Sequence, residues 1–241
     1  VDEVILLLAL WSYPQISKWK LATTIIIWLM YAIACMAKGY FFMLFIYVIY
    51  VLYERKIIKL RTIGLGTVSI IVLFYFFNLA RGGDDYAENE TFMGFVGMYI
   101  MSGAVAFGRI SQTISENFGS DVFWTIYYFI SRFTDTSFAH QQYQDFVYIP
   151  IPTNVFTIFR PYYADFGYNG VALAALIYGG ISGYVYSLSR KGNSFGICLY
   201  SYIVYVLSMQ FFDDVVLESS TILLQFLILL YICVQKRFRI C

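Results

Sequence analysis

Eight apolar runs limit what this chain can become. They fall at about 4–13, 21–37, 40–53, 62–79, 92–108, 171–188, 195–212 and 221–234. A helix needs roughly 20 apolar residues, within a range of about 17–25, to cross a bilayer. Runs 62–79, 171–188 and 195–212 reach that length, whereas 40–53 and 221–234 reach it only if flanking Tyr, Lys and Arg snorkel to the interface. The run 4–13 reads as a truncated helix. Composition agrees: 60% of the residues are hydrophobic and 13% charged, with a mean hydropathy of +0.69. Soluble domains average about 45–50% apolar and about 25% charged residues. The expected fold is therefore all-α, a polytopic transmembrane helical bundle.

Lys and Arg placement gives the expected orientation, because basic residues gather on cytoplasmic connectors. Arg55, Lys56, Lys59 and Arg61 cluster in ERKIIKLR, Arg190 and Lys191 in SRKGNS, and Lys236, Arg237 and Arg239 in QKRFR. The intervening connector DDVVLESS, 213–220, holds Asp213, Asp214 and Glu218 and no basic residue. This alternation places a loop region of about 80–170 on the opposite, external side. Within it, 92–108 either spans, with 123–131 returning, or dips into the interface. Gly94, Gly97, Gly103 and Gly108 weaken a free helix there and favour the second option. The chain opens on Val1 with no signal-peptide pattern, which suggests the C-terminal portion of a longer protein built as a single transmembrane domain. Cys35, Cys198, Cys233 and Cys241 form no CxxC and read as small hydrophobes.

The external region carries Arg81, Arg109, Arg132 and Arg160 and no lysine. Arginine presents a planar fork of donors suited to phosphate and keeps its charge, so an anionic ligand such as a lipid-linked pyrophosphate is one reading. The plainer reading pairs each arginine with one of the nine acids of this region, Asp84, Asp85, Glu88, Glu90, Glu116, Asp121, Asp135, Asp145 and Asp165. Arg160 stands apart from the other three. It lies in VFTIFRPYY, just before the run that starts near 170, and charge near membrane depth is costly enough to need a partner or a task. Pro150, Pro152 and Pro161 predict a stiffened, non-helical approach, with Gly167 and Gly170 allowing a turn into the span. Asp165 can pair with Arg160 or act as a carboxylate beside it. His140, the lone histidine, can serve as a general base or simply be solvated. There is no HExxH, phosphate-binding glycine loop or GxSxG, and no metal or cofactor is expected. Net charge is +1 and no basic patch with interleaved aromatics occurs, so no nucleic-acid partner is expected.

The stretch PTNVFTIFRPYYADFGYNGV resembles the signature of the Wzy-type bacterial oligosaccharide repeat-unit (O-antigen and capsule) polymerases. Thr153, Asn154, Val155, Thr157, Pro161, Asp165, Phe166 and Gly167 are the matching positions. FFNLARGGDD and YIMSGAVAF look like the segments upstream of that motif, and the resemblance covers about 60–235. It implies a GT-C-like membrane glycosyltransferase in the bacterial inner membrane, multi-pass, with its active site facing the periplasm. The implied substrates are undecaprenyl-pyrophosphate-linked oligosaccharides, with membrane lipid and a chain-length regulator protein as further partners. A sugar hydroxyl would displace lipid pyrophosphate at an anomeric carbon. Arg160 and Arg81 would contact pyrophosphate, with Arg132 and Arg109 as further anion contacts. Asp165 or His140 would act as base or bind the sugar, and Asn154, Tyr162 and Tyr163 join the substrate-binding candidates. An O-antigen ligase shares the same arginine logic. A flippase of the lipid-linked unit would place charge inside the spans, which carry little after residue 62.

Overall fold

The computed structural model describes residues 2–35, 38–80, 92–110, 118–134, 146–149 and 151–235. Helix dominates them, and the chain divides into two compact units. One unit comprises residues 1–82, 182–207 and 221–241, the other 83–181 and 208–220.

The first unit contains α1 (Asp2–Ser12), α2 (Lys18–Ala34), α3 (Lys38–Glu54) and α4 (Leu60–Ala80). It also holds most of α8 (Ser194–Met209) and α10 (Ser220–Gln235). These helices coincide with the apolar runs because a backbone in an apolar setting must satisfy its own hydrogen bonds, and a helix does so within one segment. Ser17 caps α2 by accepting from the Lys20 N–H at 3.3 Å. Leu6, Leu7 and Leu10 of α1, Tyr47 and Val51 of α3 and Leu230 of α10 are fully buried. Arg55, at the end of α3, lies 4.8 Å from the Trp11 ring centroid and donates to the Tyr13 carbonyl at 3.0 Å. A connector expected to be merely basic thus ties two helix ends together. Before α8, Asn193 Oδ1 accepts from the Gly196 N–H at 3.2 Å. Gly196 itself lies against the backbone of Leu188 and Ser189, where a Cβ would come within 2.8 Å.

The second unit contains α5 (Phe92–Phe107), α6 (Trp124–Ser131), a hairpin of β1 (Val147–Ile149) and β2 (Ile151–Thr153), and α9 (Val215–Glu218). Helix α7 (Arg160–Arg190) gives its residues up to 181 to this unit and the remainder to the first. The strands pair antiparallel with Val147 opposite Thr153 and Tyr148 opposite Pro152. Ala106 of α5, Ile149 and Phe156 form a small buried cluster beside Ile110 and Val147.

The described residues are mostly helical, as expected, with one short hairpin added in the region 80–170, where α5 covers the apolar run 92–108. Helix α6 has eight residues, about 12 Å of rise, so 123–131 cannot serve as a spanning return across about 30 Å of hydrocarbon. The approach expected to be non-helical instead forms a short helical piece from Arg160, and the longer part of α7 follows the kink at Gly167, close to the expected start near 170. Pro161 sits in the first helical turn, where its missing N–H would have no intrahelical partner in any case.

Among the described residues α7 is long and apolar enough to cross a membrane, while the apolar helices Gly39–Glu54, Phe92–Phe107, Ser194–Met209 and Ser220–Val234 are shorter. Leu173, Leu176 and Ile177 lie exposed on α7. A patch of that kind is costly in water and acceptable in lipid.

Candidate functional site

Every described residue of the candidate site lies in the second unit, on or packed around the approach to α7, its short first piece and the bend that follows. The approach is pinned first. The Ile158 N–H donates to the Gln210 carbonyl at 2.9 Å, and Ile158 and Phe156 are buried. Gly103 makes room for this crossing, because a Cβ there would stand 2.4 Å from the Phe211 carbonyl oxygen. Thr153 Oγ1 accepts from the Val155 N–H at 3.2 Å, steadying the coil 154–157 that holds Asn154.

The segment 160–166 is a short helical piece ahead of a sharp bend. Gly167 has φ 62° and ψ −153°, a region open essentially to glycine alone, so the two parts of α7 meet at an angle no other residue would accept cheaply. Gly170 completes the bend: a Cβ there would lie 2.4 Å from the Tyr162 carbonyl oxygen. The glycines expected to permit a turn into the span do so, between the short helical piece and the longer part of α7.

On this short piece Arg160 Nη1 lies 3.5 Å from Asp121 Oδ2, with the two side chains 22% and 26% exposed. The guanidinium also sits 5.6 Å from the Phe156 ring centroid, within cation–π range. The charge is thus balanced and part-sheltered, with about a fifth of the side chain exposed. Asp165 does not supply that pairing. Its Oδ2 accepts from the Val122 N–H at 2.8 Å and the Asp121 N–H at 3.0 Å. Phe166 packs on Phe118 and Phe123, with centroids 5.1 and 6.3 Å away, and seats the same turn. Gly119, at φ 64°, allows that turn, since a Cβ would strike the Phe123 ring at 2.4 Å.

A second network lies at the bend. Asp214 is 1% exposed and accepts from the Tyr178 hydroxyl at 2.7 Å and the Tyr162 hydroxyl at 2.8 Å. It also caps α9, accepting from the Val216 and Leu217 N–H groups at 3.0 and 3.1 Å. Burial raises its carboxyl above the ordinary range, against the pull of these four donors. Glu218, at the end of α9, is pushed up to about 8 by burial first, then by its hydrogen bond to Asp213 and the charges of Asp213 and Asp214. Folded protein therefore holds a proton on Glu218 that unfolded chain releases near 4.5, so its contribution favours the fold below that value and is lost as pH rises toward 8. The expected result is a thermal midpoint that falls from pH 5 to pH 8 and a smaller fall in Glu218→Gln. Equal slopes for the two proteins would contradict it.

The remaining sequence candidates scatter. Arg109 Nη1 donates to the Tyr148 carbonyl at 2.8 Å, buttressing the hairpin. Arg132 donates to the Tyr128 hydroxyl and lies 4.9 Å from that ring's centroid, within α6 and its cap. Tyr163 packs edge-on against Phe107 and Tyr168. Tyr162, expected to bind substrate, spends its hydroxyl on Asp214. Arg81 and His140 lie outside the described residues. Among the described residues no group of three or more His, Cys, Asp or Glu side chains is placed to hold a metal ion.

Sequence reading counts Asp121 only as one of nine possible arginine partners, and it misses Tyr178 and Asp214 as site residues. Tyr178 carries a faint signal as a polar group inside the apolar run 171–188, and Asp214 another as part of an acidic connector. Asp121 stands far upstream of its arginine, and no spacing rule reaches across that distance.

Over 124 residues, half of the chain, the sequence is 32% identical to a protein of Escherichia coli (strain K12) named "Putative O-antigen polymerase". The match spans 30% of that protein's length. No family model matches the chain, and no solved structure matches it.

Proposed function

We propose that this chain belongs to a membrane glycosyltransferase that polymerises lipid-linked oligosaccharide repeat units. It takes the glycan from one undecaprenyl pyrophosphate and transfers it to the distal sugar of another lipid-linked unit. On this reading the protein is a polytopic, GT-C-like, Wzy-type enzyme of the bacterial inner membrane, with its site on the periplasmic side and a chain-length regulator as partner.

Arg160 carries the reading. It is a balanced, part-exposed guanidinium on the short helical piece just ahead of the bend into a helix able to cross a membrane, where a pyrophosphate at the bilayer surface would meet it. The similarity over half the chain to a protein named for O-antigen polymerisation supports the same chemistry. In the reaction an acceptor hydroxyl oxygen bonds to the anomeric carbon as the bond to pyrophosphate breaks. The pyrophosphate leaves with the electron pair and the hydroxyl proton passes to a base. Arginine stabilises the negative charge gathering on the leaving group, the strongest assistance such a site can give the reaction. His140 remains the candidate for the base, and Arg81 for a second anion contact.

The test is incubation of the purified protein with lipid-linked repeat units, products resolved by size. A ladder of extended lipid-linked chains is expected. Transfer of unextended units to a lipid A-core acceptor would support a ligase instead, and movement of units across vesicles without extension a flippase.

A further inference from the structure

Asp121 is anchored twice on the same short helix. Its N–H is bonded to the Asp165 carboxylate, and its own carboxylate faces Arg160. Arg160 and Asp165 are five residues apart, about 140° around a helix, so they leave it on different faces and are poorly placed to pair directly. The turn 118–123 touches this piece at both points, and Phe118, Phe123 and Phe166 pack together as a three-ring cluster.

We propose that Asp165 and Asp121 act in series as positioning residues: Asp165 fixes the turn through its two backbone N–H groups, and the turn presents Asp121 to hold the Arg160 guanidinium in its place. The carboxylate of Asp165 is then a structural acceptor rather than the proton acceptor of the reaction. Each of its bonds is charge-assisted, which makes them among the stronger hydrogen bonds available to a loop. The consequence for turnover rests on the polymerase reading, whereas the held geometry does not.

Two measurements on the full-length protein in nanodiscs separate these levels. The first is the rate of Arg160 modification by phenylglyoxal, read by mass spectrometry. Asp121→Ala and Asp165→Ala should each speed it roughly fivefold, the upper end of what loss of a part-exposed ion pair releases. Residues acting in series do not add, so the double variant should be no faster than either single one. Asp165→Asn, which keeps one accepting oxygen, should stay close to wild type. If Asp165→Ala left Arg160 as slow as wild type while Asp121→Ala released it, the series would be broken.

The second measurement is polymer formation. A positioning role predicts that Asp165→Asn recovers a substantial share of the rate lost in Asp165→Ala. Equal inactivity of the two, with wild-type labelling in Asp165→Asn, would return Asp165 to the role of base and overturn the proposal. A wild-type protein that makes no polymer would remove the polymerase reading, and the labelling result would still decide the series.

Discussion

Arg160→Ala is expected to cut polymer formation by about 100-fold or more, the scale seen when one preorganised donor to a developing negative charge is removed. In cells the long ladder on a gel would collapse to the shortest chains while protein abundance stayed near normal. Abundance should hold because the ion pair with Asp121 is part-exposed, and such pairs contribute about 0–1 kcal/mol to stability. Arg160→Lys should recover little. Lysine keeps the charge but replaces a planar fork by a compact, strongly hydrated point charge, which loses the two-point grip on phosphate oxygens and the stacking over Phe156. Unchanged long chains in Arg160→Ala at normal protein levels would sink both the site and the function built on it.

Asp121→Ala makes the contrast informative. It removes the Asp121 carboxylate and leaves the guanidinium, so a loss of rate there, milder than in Arg160→Ala, would reflect placement rather than charge. The order Arg160→Ala, then Asp121→Ala, then wild type is what a held anion contact requires. The reverse order would mark Asp121 as the group that touches substrate.

The helices are legible in the sequence because the apolar runs are long and the physics that selects them is local. An apolar segment has no alternative to bonding its own backbone, so 40–53, 195–212 and 221–234 appear as α3, α8 and α10 with ends shifted by a few residues. The segment 160–166 is helical rather than the expected non-helical approach, for an identifiable reason. Pro161 biases its preceding residue away from helix, but in a first turn that bias yields to the bonds α7 goes on to make, beginning with the Tyr163 N–H on the Phe159 carbonyl at 2.9 Å. Arg160 stands out in the sequence as a charge needing a partner, and Asp165 suggests itself because it is near along the chain. Proximity along a helix is not proximity across it, and a residue of a distant turn takes the place. Asp214 is the hardest to see. An acid in an acidic connector looks solvated, and only the fold brings two tyrosines sixteen residues apart onto one carboxylate.

That convergence makes Asp214 the position where a single substitution should cost the fold most. Asp214→Ala removes the acceptor for two tyrosine hydroxyls and two backbone N–H groups and leaves a small void in a site 1% exposed. A lost cap costs about 1 kcal/mol and each hydrogen bond to a charged group about 1.5–3 kcal/mol. The part-buried hydroxyls regain some of this from water, so a net loss of about 3 kcal/mol is expected, read as a drop in thermal midpoint or in folded yield. The two hydroxyls flank the bend at Gly167, Tyr162 on the short piece and Tyr178 beyond it. Freeing them should therefore also loosen the angle at which Arg160 is presented, and activity should fall further than folded yield. Asp214→Asn keeps one accepting oxygen for the cap and a donor that competes with the tyrosines, so it should fall between wild type and alanine on both scales. Tyr178→Phe, which removes one donor and leaves the carboxylate with three, should cost about 1 kcal/mol and spare most activity. A fold indifferent to Asp214→Ala would mean that the bend is held by Gly167 and packing alone, and that the carboxylate is buried without a clamping task.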